Sequence, residues 1–288
     1  MENIRKKTVF ITGISSGFGY LVTKMLLEKD YLVVGALRGG ESRGKEIFAE
    51  QMDKINNKSL LFIDTHLDQT TSLNFCIEQV SQLLSGGIDI LINNAGYGLL
   101  GPIEIQEETQ IRLQFETNFF APLFLIKKLL PLIRKRQGRI LNLSSLVGFN
   151  VFPFYGTYSA SKHAIESITE ALYYELSEFN VQICAIEPGG FRTNFSASSK
   201  MGLLDHPEHR MYEKRIKRFN KFLNYVQEKI EKDPVIVTKK IIELCEAKKI
   251  PVRVRVGFEA HFNWILKKIM PDQLRIKIQD WLYKTFFF

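Results

Sequence analysis

Two tyrosines and one lysine stand close together in the segment YGTYSASK, which runs from Tyr155 to Lys162. In a helix that begins near Thr157, Tyr158 and Lys162 lie four residues apart on one face, where their side chains can interact. Tyr155 has no such partner. A nearby ammonium favours the phenolate and lowers a tyrosine pKa that is about 10 when unperturbed. The segment therefore offers a proton donor and acceptor at Tyr158, although the same spacing also occurs on helices that do no chemistry.

A glycine-rich turn, TGISSGFG at Thr12 to Gly19, follows the first apolar run of the chain. Its TGxxxGxG pattern lets the backbone turn tightly and approach a ligand closely, and the N–H groups that start the following helix attract a pyrophosphate. A dinucleotide site is therefore expected between this strand and this helix. The residues predicted to hold the cofactor here are Gly13, Ser15, Ser16, Gly17, Phe18 and Gly19.

The end of the second apolar run bears on the choice of dinucleotide. An acidic side chain at this position would accept hydrogen bonds from a ribose diol and would repel a 2′-phosphate. Leu37 and Arg38 stand there instead. This favours NADP(H) over NAD(H), although an arginine at the end of a strand is often only a solvated charge.

Short β-branched runs alternate with longer amphipathic segments over most of the chain. Apolar runs of this length suit strands that are covered on both faces. The βαβα order therefore predicts an α/β, Rossmann-type doubly wound parallel sheet of about seven strands, with helices on both faces. The runs are TVFIT (8–12), LVVGAL (32–37), LLFI (60–63), IDILIN (88–93), GRILNL (138–143) and VQICAIE (181–187).

No linker, repeat or low-complexity stretch divides the chain, so residues 1–288 are predicted to form one domain. Its cofactor-binding part is expected over about 1–150, and its catalytic and substrate part over about 140–288. Residues 196–232 are polar and basic, and they interrupt the β/α alternation before PVIVTKKIIELCEA resumes it. A helical lid over the substrate is predicted for this insertion.

The composition narrows the class of protein. A net charge of +8 is compatible with an anionic partner, but no zinc-finger, heptad or RNA-binding pattern accompanies it, so nucleic-acid binding is not expected. Cys76, Cys184 and Cys245 are odd in number and far apart, which favours a reducing cytoplasm. MENIRKK is too short for a cleavable signal peptide, and no apolar run approaches the roughly 18 residues that span a bilayer. No metal site is expected, because His206 and His209 have no further ligand near them.

Taken together, these motifs resemble those of the short-chain dehydrogenase/reductase family. The shared motifs are TGISSGFG (12–19), NNAG (93–96), Asn118, LSS (143–145), Tyr158 with Lys162, and PGGFRT (188–193). They occur in the order of the family and cover about residues 8–195. Longer phrases, among them NNAGYGLLGPIE (93–104) and IEPGGFRTNF (186–195), are similar to 17β-hydroxysteroid and retinol dehydrogenases.

The resemblance implies a catalytic set of Asn118, Ser145, Tyr158 and Lys162. Tyr158 would exchange a proton with the substrate oxygen, which Ser145 would hold and polarise by a hydrogen bond. Lys162 would lower the pKa of Tyr158 and bind the nicotinamide ribose, and Asn118 would hold a proton-relaying water. The spacing to Tyr158 selects Ser145 over the adjacent Ser144.

The same resemblance implies further cofactor contacts. They are Asp68, Asn93, Ala95, Gly96, Pro188, Gly189 and Thr193, together with Tyr158 and Lys162. Asp68 would contact the adenine or would serve only as a helix cap. Asn93 would lie beneath the adenosine ribose and pyrophosphate or be structural, and Thr193 would reach the carboxamide or a phosphate oxygen.

Aromatic and aliphatic side chains are expected around the catalytic residues, and large apolar ligands gain most from such walls. They are Tyr97, Leu99, Leu100, Val147, Phe149, Phe152, Phe154, Tyr155, Phe191 and Phe195. The predicted substrate is a small hydrophobic alcohol or carbonyl compound of sterol, retinoid or fatty type, in contact with Ser145, Tyr155, Tyr158 and Phe191. Two alternatives stay open: a dinucleotide-binding sensor or scaffold without turnover, and a family member that acts on another substrate class.

The C-terminal segment HFNWILKKIMPDQLRIKIQDWLYKTFFF mixes apolar and basic residues. One interpretation is a helix that caps the substrate pocket or packs on a partner subunit. The other is an interfacial anchor that touches a membrane peripherally. A homo-oligomer is a further expectation, because the family often pairs through its two long helices, here at about 108–135 and 157–179.

Overall fold

The computed structural model describes residues 5–193, 195, 199–202, 208–229 and 232–287. Parts of the predicted lid, His206 among them, lie outside these described residues, as does the last phenylalanine, Phe288.

Nine strands form two parallel sheets in the described part of the chain. The strands are Thr8–Thr12 (β1), Leu32–Leu37 (β2), Leu60–Asp64 (β3), Ile90–Asn93 (β4), Leu99–Leu100 (β5), Arg139–Leu143 (β6), Gln182–Pro188 (β7), Lys200–Met201 (β8) and Arg253–Val256 (β9). Seven of them pair in the order β3-β2-β1-β4-β6-β7-β9, and β5 pairs with β8 separately. The chain leaves β1 in one direction to build β2 and β3, then returns to build the other half from β4. This reversal beside β1 is where open α/β sheets form their ligand crevice.

Helices connect the strands and cover both faces of the large sheet. They are Gly17–Glu28 (α1), Gly40–Ile47 (α2), Met52–Asn56 (α3), Thr70–Leu83 (α4), Glu108–Phe115 (α5), Ala121–Arg134 (α6), Gly156–Leu176 (α7), His209–Lys229 (α8), Val235–Glu246 (α9), Phe258–Ile269 (α10) and Asp272–Phe287 (α11). The predicted α/β, doubly wound fold is confirmed. The helix predicted near Thr157 begins one residue earlier.

The continuous apolar strands are explained by two cores, one on each face of the sheet. Val9 and Ile11 of β1 point into one core, which α1 and α9 cover. Phe10 points into the other core, which α4 and α6 cover. Side chains alternate between faces along a strand, so a strand covered on both sides must be apolar at every position.

The structure differs from the sequence prediction in one connection. The segment PVIVTKKIIELCEA was expected to resume the β/α alternation, but its β-branched start belongs to helix α9. Pro234 precedes this helix directly, and the fixed φ of proline suits the start of a helix. The seventh strand of the large sheet is β9, Arg253–Val256, further along the chain.

Among the described helices, none has both the length and the apolar character needed to cross a membrane.

We expect Leu129→Ala to lower the free energy of unfolding by about 2 to 5 kcal/mol, because this side chain of α6 is fully buried and its loss leaves a cavity. Lys128→Ala is the matched control, since it changes the neighbouring, exposed position of the same helix and should cost less than about 0.5 kcal/mol. Urea denaturation followed by circular dichroism measures both. Equal losses would contradict the placement of Leu129 in the core.

Candidate active site

Asn118 lies at an irregular turn within the long helical segment from α5 to α6. Residues Glu116–Phe120 form a π-helical turn between the two α-helices. The Asn118 amide is buried, donates to the Tyr97 carbonyl at 2.9 Å and accepts from the Tyr97 N–H at 3.2 Å. It also donates to the Ser161 hydroxyl at 3.2 Å. This side chain therefore joins the loop after β4 to helix α7.

Ser145 and Tyr158 meet where β6 ends and α7 begins. Ser145 opens a short 3₁₀ turn after β6, and its hydroxyl accepts from the Val147 N–H at 3.3 Å. Tyr158 lies in the first turn of α7 with only 6% of its surface exposed. The Ser145 hydroxyl lies close enough to the phenol of Tyr158 to lower its pKa. The two oxygens together form one polar point in an otherwise apolar wall.

Lys162 lies one helical turn beyond Tyr158 and is almost fully buried. Its Nζ is 5.9 Å from the centre of the Tyr158 ring and donates a hydrogen bond of 2.6 Å to the carbonyl of Leu143. Burial lowers the pKa of Lys162 to about 8, and the nearby Glu166 carboxylate opposes that change. The predicted shared face of Tyr158 and Lys162 is present.

The direction of the Tyr158 pKa shift was predicted wrongly. Burial raises the pKa of this phenol well above its usual value, the hydrogen bond with Ser145 lowers it, and Tyr155 raises it further. The physical reason is that Tyr158 is removed from water while the ammonium of Lys162 is directed to the Leu143 carbonyl. The phenol therefore stays protonated near neutral pH.

A cavity of about 730 Å³ runs past these side chains along the carboxyl ends of the strands. Ser145, Tyr158 and Lys162 line it, whereas Asn118 lies behind the wall. At one end it is bounded by the glycine-rich turn, and at the other by aromatic and aliphatic side chains. The predicted cofactor residues that line the cavity are Gly13, Ser15, Ser16, Gly17, Phe18, Arg38, Asp68, Ala95, Gly96, Pro188, Gly189 and Thr193.

The glycine-rich end of the cavity fits a pyrophosphate. Ser16 precedes α1, and its side chain makes no capping hydrogen bond, so the N–H groups of this twelve-residue helix are left for an anion. Gly19 is required for packing and not for contact, because a Cβ at this position would overlap the Gly13 carbonyl oxygen. Gly19 does not line the cavity in the described part of the chain. Its predicted role as a cofactor contact is therefore corrected to a packing role.

Asn93 was predicted to lie beneath the adenosine ribose and pyrophosphate or to be structural, and its position supports the structural role. Asn93 is buried behind the cavity, where its amide donates to Asn142 of β6 at 2.8 Å. Asn94 lines the cavity, and its amide donates to the carbonyls of Thr12 and Gly13 at 2.8 and 3.0 Å. Strand β4 ends at Asn93, and side chains alternate along a strand, so the next residue faces the opposite way. The motif NNAG alone does not tell the two asparagines apart.

Two arginines flank the end of β2. Arg38 lines the cavity and is exposed. Nη1 of the Arg43 guanidinium donates a hydrogen bond to the Arg38 carbonyl at 3.5 Å. Arg43 was not singled out from the sequence.

Asp68 also lines the cavity. The N-cap of the next helix, α4, is Gln69, so the alternative role of Asp68 as the cap of that helix is wrong.

The apolar end of the cavity contains most of the predicted wall. Tyr97, Leu100, Val147, Phe152, Tyr155, Phe191 and Phe195 line it. Three predicted members do not. Leu99 is buried in β5, Phe149 packs against Arg255 at 5.7 Å, and Phe154 packs against Phe219 at 5.2 Å between ring centres.

The wall is completed by side chains that sequence reasoning missed. They are Phe219, Phe222, Leu223 and Val226 of α8, Glu259 and Asn263 of α10, and Tyr283 of α11. In α8, the spacing of three and four residues between the apolar positions was the available signal, since it places them on one helical face. Helix α8 falls within the predicted lid, and it covers the cavity beside Tyr155.

A buried ionic cluster lies behind the candidate catalytic residues and was not predicted from the sequence. Glu187 of β7 is fully buried, and its Oε2 lies 2.9 Å from Nε of Arg255, its cross-strand partner on β9. Arg253 pairs with Glu166 at 2.9 Å and with Glu170 at 2.6 Å, both on α7. Burial and the Glu166 carboxylate raise the pKa of Glu187, and the two arginines lower it. The net effect is a pKa of about 7.

The fold and this site define a nicotinamide-dependent oxidoreductase, and comparison with known proteins identifies the family. The family model described as short chain dehydrogenase matches residues 7–202. The chain therefore belongs to the short-chain dehydrogenase family, whose members act on CH–OH groups. Within the described residues, no cluster of three or more His, Cys, Asp or Glu side chains could hold a metal ion.

Two relatives and one solved structure illustrate the similarity. A 3-ketodihydrosphingosine reductase of Bacteroides thetaiotaomicron is 31% identical over 283 residues, which cover 95% of this chain and 98% of that protein. Retinol dehydrogenase 8 of Homo sapiens is 33% identical over 204 residues, which cover 66% of this chain and 60% of that protein. The crystal structure of a short-chain dehydrogenase from Streptomyces avermitilis matches with a TM-score of 0.78 at 26% identity, covering 99% of this chain and 98% of that one.

The buried cluster predicts how stability depends on pH. The pKa of Glu187 is raised from 4.5 to about 7 in the folded protein, so the folded state binds more protons between these values and its stability falls as the pH rises through them. In Glu187→Gln this group no longer titrates. We therefore expect the melting temperature of the variant to fall less than that of the wild type between pH 4.5 and pH 7.

Glu170→Gln is the control for this measurement. Arg253 lowers the pKa of Glu170, so its contribution to stability is lost only as the pH falls below the ordinary carboxyl range. Differential scanning calorimetry across the same pH interval should show that the melting temperature of Glu170→Gln changes with pH as steeply as that of the wild type. If the melting temperature of Glu187→Gln also changes as steeply as that of the wild type, Glu187 is ionised over the whole interval, which would contradict its raised pKa.

Proposed function

We propose that this protein is an NADP(H)-dependent oxidoreductase that interconverts a hydroxyl and a carbonyl on a hydrophobic substrate of sterol, retinoid or fatty type. The observation that carries the proposal is that one continuous cavity of about 730 Å³ contains both kinds of wall. Its polar end fits a dinucleotide, its apolar end fits a lipid-like molecule, and Ser145 and Tyr158 lie between the two.

The chain's own residues supply binding and proton transfer. Ser145 donates a hydrogen bond to the substrate oxygen and polarises it, and Tyr158 exchanges a proton with that oxygen. Lys162 fixes the start of α7 and lies where it can bind the ribose of the nicotinamide half. Asn118 holds the loop after β4 and can position a water molecule beside Lys162. When bound, the nicotinamide supplies or accepts the hydride.

We further propose reduction of a carbonyl as the favoured direction. A phenol whose pKa is raised by burial remains protonated and is ready to donate to an oxygen that gains negative charge. The name of the Bacteroides relative, a reductase, supports the same direction. That relative is similar over 95% of this chain. A fatty-chain ketone is therefore the first substrate type to test.

The preference for NADP(H) is proposed from Arg38 and Arg43. Both guanidinium groups are exposed near the end of β2, where a 2′-phosphate would lie. The Asp64 carboxylate at the end of the neighbouring strand accepts from the Gly39 N–H at 2.8 Å. Gly39 follows Arg38, so Asp64 holds the turn that carries this arginine.

We expect Tyr158→Phe to lower the kcat for reduction of a long-chain ketone by about 10²- to 10⁴-fold, because the proton donor is lost. Tyr155→Phe removes a hydroxyl of the same kind from the neighbouring wall and should change kcat far less. The consumption of NADPH at 340 nm measures both variants beside the wild type. NADPH binding, read by its fluorescence, should persist in both.

Equal activities of the wild type and Tyr158→Phe would contradict the assignment of the proton donor. Binding of NADPH by the wild type without turnover of any sterol, retinoid or fatty ketone would favour the sensor alternative. Efficient turnover of small polar ketones only would reject the substrate class and leave the catalytic assignment standing.

We expect Arg38→Asp to weaken NADPH binding by about 10- to 100-fold, because a charge-assisted hydrogen bond to the 2′-phosphate is replaced by repulsion. NADH binding should change little. Lys249→Asp makes the same change in net charge at an exposed position elsewhere and serves as the control. A titration of nicotinamide fluorescence measures both constants, and an equal loss for NADPH and NADH would contradict the role of Arg38.

A further inference from the structure

Helix α10 carries an exposed apolar face. Phe258, Phe262, Ile265 and Ile269 follow one another at intervals of four and three residues, so they share one side of the helix. Each is exposed, with Ile269 at 72%. The rings of Phe258 and Phe262 stack with their centres 5.7 Å apart. These four side chains form the first apolar stripe.

Helix α11 repeats the pattern. Leu274, Ile278 and Trp281 are exposed at intervals of four and three residues and form the second apolar stripe, with Trp281 at 63% exposure. Soluble proteins rarely leave many large apolar side chains in contact with water, and such surfaces commonly mark sites of protein or membrane interaction.

The opposite faces of these two helices close the cavity. Asn263 of α10 and Tyr283 of α11 line it. Arg275, on the side of α11 away from the second stripe, donates to the Asn150 side chain at 2.8 Å. The two stripes are therefore separated from the cavity by the thickness of one helix. A lipid-like molecule that leaves a surface covered by the stripes would have a short path to the apolar end of the site.

Positive charge accompanies the apolar faces. Lys268 precedes Ile269 of the first stripe on α10, and Lys277 and Lys284 flank the second on α11, all of them exposed. Lys284 pairs with Asp280 at 2.7 Å, whereas Lys277 is the position tested below. Helix α8, whose apolar side closes the cavity, contains seven Lys or Arg residues and two Glu residues. Tyr225 of α8 is exposed beside these charges. Apolar residues flanked by basic ones are the composition that binds the surface of an anionic bilayer.

We propose that the two apolar stripes dock this protein on the surface of an anionic lipid bilayer. The stripes enter the interface between headgroups and acyl chains, and the flanking lysines contact anionic headgroups. The charge pattern selects the bilayer over a second copy of this chain, because two such basic surfaces would repel each other. Docking on a bilayer goes beyond the proposed catalytic function. Docking requires no turnover, so its test can fail while the proposed reaction stands.

The test is cosedimentation of the full chain with vesicles of phosphatidylcholine alone and of phosphatidylcholine mixed with phosphatidylglycerol. We expect binding to the anionic vesicles that weakens with added salt. Phe262→Glu and Trp281→Glu should each lower the partition coefficient by about tenfold or more, because an apolar side chain is lost from the interface. Lys277→Ala should lower it by about fivefold. Phe75→Glu changes an exposed aromatic residue on α4 and serves as the control, with no change expected.

Tryptophan fluorescence gives an independent measurement. The chain has two tryptophans, and Trp264 stacks on Arg255 at 4.4 Å, so Trp264→Phe leaves Trp281 as the reporter. We expect its emission to shift to shorter wavelength on anionic vesicles and to be quenched by brominated lipid.

Three results would overturn the proposal. The first is no sedimentation with anionic vesicles at low salt. The second is equal sedimentation of the wild type and both glutamate variants. The third is a dimer in analytical ultracentrifugation that Phe262→Glu dissociates, with no binding to vesicles, since that would assign the stripes to a second copy of the chain.

Discussion

A single buried ammonium group, that of Lys162, fixes the geometry of this site. A charged amine is costly to remove from water unless polar atoms surround it. Lys162 meets this requirement with the Leu143 carbonyl at the end of β6, and Gly96 lies against it, since a Cβ at Gly96 would come within 3.6 Å of Nζ. The ends of β4 and β6 and the start of α7 therefore converge on one side chain. The relative placement of Ser145 and Tyr158 follows from this convergence.

Tyr158 lies one turn before Lys162 on α7, and Ser145 lies two residues beyond Leu143. A hydrogen bond to Leu143 therefore sets the distance between the two groups that would hold the substrate oxygen. Asn118 reinforces the arrangement from the other side, because it binds Tyr97 and Ser161 at once. The buried cluster of Glu166, Glu187 and the two β9 arginines supports α7 from behind.

Much of the fold could be predicted from the sequence. The β-branched runs locate six of the seven strands of the large sheet within a few residues, because a strand covered on both faces must be apolar throughout. The shared face of Tyr158 and Lys162 could be predicted because helical spacing determines it, whereas Ser145 was inferred from the family resemblance alone. The π turn at Asn118 was not predicted, and the contacts of this side chain with Tyr97 and Ser161 join distant parts of the chain that no local pattern shows.

The remaining misses share a physical origin in contacts between distant parts of the chain. Glu187 pairs with Arg255 because β7 and β9 are neighbours, although a helical insertion separates them in sequence. Tyr283 lines the cavity because α11 folds back beside α8. The raised pKa of Tyr158 depends on burial, whereas the sequence shows only the nearby lysine. Burial of an individual polar group is a tertiary property that no motif encodes.

In the proposed function, one cavity brings a dinucleotide and a lipid-like carbonyl to Tyr158. The most direct measurement is the transfer of deuterium from NADPH labelled at C4 of the nicotinamide to a long-chain ketone, followed by mass spectrometry of the product. We expect deuterium on the carbinol carbon with the wild type and an initial rate of transfer lower by about 10²- to 10⁴-fold with Tyr158→Phe. A wild-type protein that binds labelled NADPH but transfers no deuterium to any sterol, retinoid or fatty ketone would contradict the proposed function.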